Sequence, residues 1–185
     1  MKNDGIVADT NIIKYYYDDV SHDEFNFQRK LIDSICDNCG FVINEQIYWE
    51  YELKITTFGF KDWLGTMMWE GKIDYINERS ETKLSPHNKN IIHDKFGLPR
   101  NNSKDIHFII CANHTTIKYI ITNDIDFFDP KKKEVNSENR EKIINQRSGQ
   151  LCHFLEKKLG ILVGLPTHCH QTLCEKKIMP PIMTE

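Results

Sequence analysis

Lys104–Phe127, KDIHFIICANHTTIKYIITNDIDF, decides the fold class. Ser103, immediately before it, is placed to cap a helix along which Ile106, Ile109 and Ile110 recur at helical spacing. Asp105 then falls in the first turn, where the helix dipole favours an anion. Tyr119 to Ile121 is a short apolar run that reads as a buried strand, and it delivers the chain into Thr122, Asn123, Asp124, Ile125 and Asp126. A helix feeding a buried strand that ends in polar residues is the building unit of an α/β fold.

The same grammar holds towards the amino terminus. Gly5 to Ala8 is apolar and is followed at once by Asp9, Thr10 and Asn11, which predicts a strand with Asp9 at its carboxyl end. From Asp23 to Asn38, Phe27, Leu31 and Ile35, with Ile32 and Cys36 beside them, predict a crossover helix that Gly40 stops. Phe41 to Ile43 reads as a strand, and Asn44 caps a helix through Ile47, Tyr51 and Lys54 that carries Glu50. Thr56 to Arg100 is read as helical, on Trp63, Leu64, Met67 and Met68 and then on Asn88 to Phe96. After Pro130 a charged stretch precedes one helix through Ile144, Leu151, Leu155 and Leu159, a stop at Gly160 and a strand over Ile161 to Val163. The tail beyond Pro166 has no period. Strands alternating with helices predict a parallel sheet covered on both faces, with ligands gathering beyond the strands' carboxyl ends.

Composition narrows the class. A chain of 185 residues supplies one full core, so one domain over 1–185 is expected, with a helical insertion around 56–100 and a carboxyl-terminal extension around 165–185. No apolar run approaches the roughly 18 residues of a membrane span. The opening MKNDGIVADTN lacks the positive flank and long apolar stretch of a secretion signal, which places the protein in the cytoplasm. For such a chain the 6 cysteines predict reduced thiols and no structural disulfide. A net charge of −3 gives no global attraction for nucleic acid, so any such binding is local or carried by metal ions.

The segments VADTNIIKYYY and KDIHFIICANHTTIKYIITNDIDF resemble the PIN-domain nuclease family, which includes the toxin ribonucleases of bacterial toxin–antitoxin pairs. The resemblance implies a PIN-like three-layer α/β/α fold with a central parallel sheet of about four or five strands. It implies four catalytic, metal-holding acids: Asp9 after the first strand, Glu50 on the helix capped by Asn44, Asp105 opening its helix, and Asp124 after the late strand. Glu45 and Glu52 compete with Glu50, and Asp126 is either a fifth ligand or a substitute. Asn11 and Thr122 are expected to orient carboxylates or water, or else to serve as plain turn and cap residues.

Such a cluster suits phosphodiester hydrolysis, which needs an activated water and a counter to the charge growing on phosphate and leaving oxygen; one or two Mg²⁺ or Mn²⁺ ions supply both. Hard cations select carboxylate oxygens, and carboxylates crowded together raise one another's pKa unless a cation joins them. The expectation is therefore a metal-dependent endonuclease, with RNA as substrate on the strength of the resemblance. An inhibitor (antitoxin) protein and a homodimer are conceivable partners; a membrane is not. Lys14, Lys131, Lys132, Lys133 and Arg140, with Lys142 and Arg147, are candidates to hold the phosphate backbone, and Tyr15, Tyr16, Phe127 and Phe128 to stack bases.

Blander readings stand beside these. A single Asp after an apolar run is most often a turn residue, and runs of charge are usually solvated faces. Cys36 and Cys39 form a CxxC on a helix with no second ligand pair. Cys152, His153, His168, Cys169, His170 and Cys174 contain enough donors for a structural Zn²⁺, but their spacing fits no standard finger. Two other functions compete with the nuclease: a catalytically silent PIN-like nucleic-acid-binding or scaffold protein, and a small-molecule α/β phosphohydrolase with Asp9 as nucleophile. The latter lacks the companion Asp two residues on, where Asn11 stands.

Overall fold

The computed structural model describes residues 5–17, 23–76, 84–100 and 105–174. Ser103 lies outside them, as do the side chains of Tyr16, Phe27 and Cys174. The chain is a mixed α/β protein with five short parallel strands: β1 (Val7–Ala8), β2 (Phe41–Asn44), β3 (Ile73–Ile76), β4 (Tyr119–Ile121) and β5 (Leu162–Gly164). They form a three-stranded sheet, β1-β4-β5, and a two-stranded sheet, β2-β3. One parallel bridge between Ile6 and Phe41 joins the two, through Ile6 N–H to Gly40 O at 3.1 Å and Val42 N–H to Ile6 O at 2.8 Å. Across the bridge the order runs β3-β2-β1-β4-β5, and it reverses direction between β1 and β4.

Val7, Ile43, Ile120 and Val163 are buried, as expected for parallel strands, which rarely face water. β3 is the exception: Ile73 and Ile76 are buried while Tyr75 is exposed, the pattern of an edge strand. This strand corrects the wholly helical reading of residues 56–100. Four residues with an Asp and a Tyr among them carry too little apolar signal to announce a strand, and its register on β2, Phe41 opposite Ile73, is what holds it.

The helices are α1 (Thr10–Tyr17), α2 (Asp23–Cys39), α3 (Glu45–Lys54), α4 (Phe60–Trp69), α5 (Pro86–Asn90), α6 (Asp105–His114), α7 (Ser137–Gln146), α8 (Gln150–Phe154) and α9 (Pro166–Cys169). Asn44 caps α3 as expected, its side chain accepting from Ile47 N–H at 2.9 Å. The single helix expected through Leu159 is instead two. Arg147 adopts φ 50, and Gly149 brings the chain against Phe128 so closely that a Cβ would stand 2.1 Å from the Phe128 carbonyl oxygen. The apolar spacing is continuous through the break, which is why the sequence conceals it. α8 then continues as a wide π-helical turn to Leu159, and β5 begins one residue later than expected. Past Pro166 the tail is helical to Cys174 and packs on α2.

The buried side chains of all these elements form one continuous core, from Ile6 to Cys169. Cys36, Cys39, Cys111, Cys152 and Cys169 are free thiols. Among the described residues no helix is long and apolar enough to cross a membrane.

Candidate functional site

The loops that leave β1 and β4 meet where the strand order reverses, the position at which α/β sheets open a crevice. Asp9 N–H donates to Ile121 O at 2.8 Å, and the Asp9 carbonyl accepts from Ile12 and Ile13, so the residue both ends β1 and starts α1. Its side chain is 5% exposed. Thr122 Oγ1 donates to Asp9 Oδ2 at 2.8 Å and accepts from Asp124 N–H at 2.9 Å. The Thr122 hydroxyl thus bridges the Asp9 carboxylate and the backbone of the loop after β4. Asp124 in turn accepts from Asp126 N–H at 3.0 Å and caps a short 3-10 turn over Ile125–Phe127.

Glu50 enters from α3 and is 2% exposed. Its Oε1 accepts from Thr10 Oγ1 at 2.9 Å and from Lys54 Nζ at 2.7 Å, while its Oε2 is buried without a hydrogen-bond partner. The rival acids point elsewhere: Glu45 is exposed at the start of α3, and Glu52 is bound by the Tyr48 hydroxyl at 2.9 Å and lies 3.4 Å from Lys61. Tyr51, fully buried on the same helix, donates its hydroxyl to Ala8 O and so fixes α3 to the end of β1.

Three of the acids act on the fourth, Asp9. Burial pushes the Asp9 carboxyl up to about 7, the Thr122 hydrogen bond opposes this, and the charges of Asp124, Asp105 and Glu50 raise it further. Asp9 is therefore the centre of an acidic cluster drawn from β1, α3, α6 and the loop after β4. The cluster is open: among the described residues no three His, Cys, Asp or Glu groups are close enough to hold a metal ion as they stand. In donor chemistry the four acids fit a hard divalent ion. The oxygens are carboxylate, and Glu50 keeps a buried oxygen unused.

Other expectations change. Asp126 is 5% exposed, and its Oδ2 is paired with Lys133 Nζ at 2.6 Å while Oδ1 is without a hydrogen-bond partner. Phe127 and Phe128 are completely buried and cannot stack bases. Arg147 donates from Nε to Val163 O at 2.7 Å and sits 3.5 Å from Glu156, which makes it a brace for β5. Lys14, Lys131 and Lys132 are exposed. Arg140 lines a cavity of about 320 Å³ with Asn123. Asn11 is half-buried on α1.

In the tail, Cys152 and Cys169 are buried, His168 Nδ1 accepts from Leu165 N–H at 3.3 Å, and His170 Nε2 meets Ser34 Oγ at 3.1 Å. The two histidines are thus turned to separate partners. Cys36 is buried, its thiol pushed up to about 12 by burial, which suits neither redox work nor ligation. Thr10 and Lys54 were not singled out by sequence. Lys54 was within reach of the rule that residues four apart on a helix pair, applied to Glu50.

The chain matches no family model, no curated protein and no solved structure. Function is therefore read from the site's own chemistry.

Proposed function

We propose that the protein is a metal-dependent endonuclease acting on RNA, with a PIN-like three-layer arrangement around its parallel strands. The observation that carries this reading is that the Thr122 hydroxyl ties Asp9 to Asp124 while Thr10, the residue after Asp9, bonds the buried Glu50, whose Oε2 has no partner. Asp9, Glu50, Asp105 and Asp124 would hold one or two Mg²⁺ or Mn²⁺ ions. When bound, such ions supply an activated water and a counter-charge to the phosphate.

The protein's own groups do the rest. Thr122 and Thr10 each occupy one oxygen of an acid, Asp9 Oδ2 and Glu50 Oε1, and thereby orient the other. Tyr51 and the Asp9–Ile121 backbone bond hold α3, β1 and β4 in register around the acids.

Labelled single-stranded RNA, transfer RNA and DNA incubated with the purified protein in Mn²⁺, Mg²⁺ or EDTA provide the test, beside Asp9→Asn and Asp124→Asn. Metal-dependent cleavage of RNA that both substitutions abolish is the expected result. Full activity in Asp9→Asn would sink the mechanism, and binding without turnover would favour the silent binding protein.

A further inference from the structure

Two lysines stand at the two ends of the acidic cluster. Lys54, on α3, reaches Glu50 Oε1 at 2.7 Å, and Lys133, just past the Pro130–Lys132 turn, reaches Asp126 Oδ2 at 2.6 Å. Their surroundings divide the cluster between them. Lys54 feels the charges of Glu50, Asp9 and Asp105, whereas Lys133 feels those of Asp126, Asp124 and Asp105. Asp105 acts on both. Strand order agrees, because Glu50 follows β2 on one side of β1 and Asp126 follows β4 on the other.

In each pair the acid is buried and the lysine is not. The side chains of Lys54 and Lys133 are 54% and 62% exposed, against 2% and 7% for their carboxylate partners. A buried acid anchors one donor of an ammonium that has three, leaving the rest towards solvent at a fixed place. Long lysines otherwise lose considerable rotamer freedom on gripping a ligand, and here much of that ordering precedes binding.

Past Lys133 the surface continues as a groove of about 310 Å³. One wall is Gly97 and Pro99, and Lys131, Lys133 and Glu134 line it too. The stem of Lys131 lies against Gly97, where a Cβ would stand 3.5 Å from Lys131 Cγ. Gly97 and Pro99, outside the acid-bearing elements, therefore help to shape a groove that Asp126 also lines.

We propose that a single-stranded nucleic acid crosses the carboxyl edge of the sheet from α3 to this groove, with Lys54 and Lys133 gripping phosphates that flank the one facing the acids. Lys131 meets the strand further along the groove. The path rests on the nuclease reading for its central phosphate, but its lysine contacts are separately measurable. Lysine serves phosphate as a point charge, so these contacts set affinity and direction without reading base sequence.

The test compares Lys54→Met and Lys133→Met with Lys157→Met, an exposed lysine at the amino end of β5 and hence at the opposite edge. Cleavage of a labelled single-stranded RNA in Mn²⁺ is followed over a range of NaCl, and Mn²⁺ affinity is measured by calorimetry. Each of the first two variants is expected to raise KM on the order of tenfold, the loss of one charge-assisted contact, and to make the salt slope shallower by about one. Mn²⁺ affinity should hold or tighten, and Lys157→Met should behave as the wild type. Unchanged KM and slope would overturn the path, and so would Mn²⁺ affinity falling in step with activity, which would mean that the lysines only steady the acids. If the wild type cleaves nothing, the nuclease reading fails, and fluorescence anisotropy of the same RNA in Ca²⁺ decides the path by itself. Weaker, less salt-sensitive binding by the two variants keeps it; equal binding, or none by the wild type, removes it.

Discussion

Thr122 Oγ1 donates to Asp9 Oδ2 across 2.8 Å, fastening the end of β4 to the end of β1 where the order of strands reverses. The same oxygen accepts from Asp124 N–H, so one hydroxyl sets the spacing of two acids that arrive from opposite ends of the chain. Thr10 performs the matching task for Glu50.

Thr122→Val and Thr10→Val remove these hydroxyls at nearly constant volume. Each is expected to lower Mn²⁺ affinity or cleavage by about 10- to 100-fold, the usual cost of losing a group that orients a metal ligand. Thr122→Val should also move the acidic limb of the pH–rate profile upward, because its hydrogen bond opposes the elevation of Asp9. Wild-type profiles in both variants would show the threonines to be fold-related only.

Asp9 gives the protein a measurable dependence of stability on pH. Between 3.8 and about 7 the native carboxyl keeps a proton that the unfolded chain has released, so stability falls as pH rises through that window. The full gap corresponds to on the order of 4 kcal/mol. Asp9→Asn in EDTA should therefore be more stable than the wild type at pH 7.5, with the advantage shrinking towards pH 4. Urea denaturation at several pH values measures it, and a constant difference across the range would refute the assignment.

Divalent metal should narrow that difference. Mn²⁺ at about 100 times its Kd would stabilise the wild type by about 2.7 kcal/mol at pH 7.5, with less gain near pH 5.5 where a proton competes for Asp9. Thermal melts of the wild type, Asp9→Asn and Glu50→Gln with and without Mn²⁺ provide the comparison. Equal shifts in all three would place the ion elsewhere.

Gly149→Ala addresses the fold alone. The added Cβ would meet the Phe128 carbonyl oxygen at 2.1 Å, an overlap that backbone must move to relieve. A loss of about 1–3 kcal/mol is expected in urea, with the residual folded fraction keeping its metal response. An unaffected midpoint would mean that the α7–α8 connection is looser than described.

Much of this was legible from sequence, for identifiable reasons. Short apolar runs that end abruptly in polar residues marked β1, β2 and β4, because a fully buried parallel strand has no polar face to blur the pattern. Those abrupt ends also pointed to Asp9 and Asp124. β3 escaped because an edge strand shows one wet face, as at Tyr75, and has too few residues to establish alternation. The α7–α8 break escaped because Ile144, Leu151 and Leu155 keep helical spacing across Arg147 and Gly149. Phe127 and Phe128 looked available to a ligand because they neighbour acids, yet the 3-10 turn directs both rings into the core. The Lys133–Asp126 pair spans two tight turns, and no periodicity rule connects residues seven apart along such a path.

The single bridge between Ile6 and Phe41 has one more consequence. Glu50 belongs to the β2–β3 half, whereas Asp9 and Asp124 belong to the half built on β1, β4 and β5. The acids straddle a seam. Parting the halves would scatter the acids while leaving each half's own ladder intact, so activity is a more sensitive gauge of that seam than any spectroscopic measure of helix content. Tyr51 and Thr10, which reach across it to Ala8 and Glu50, are the stitches.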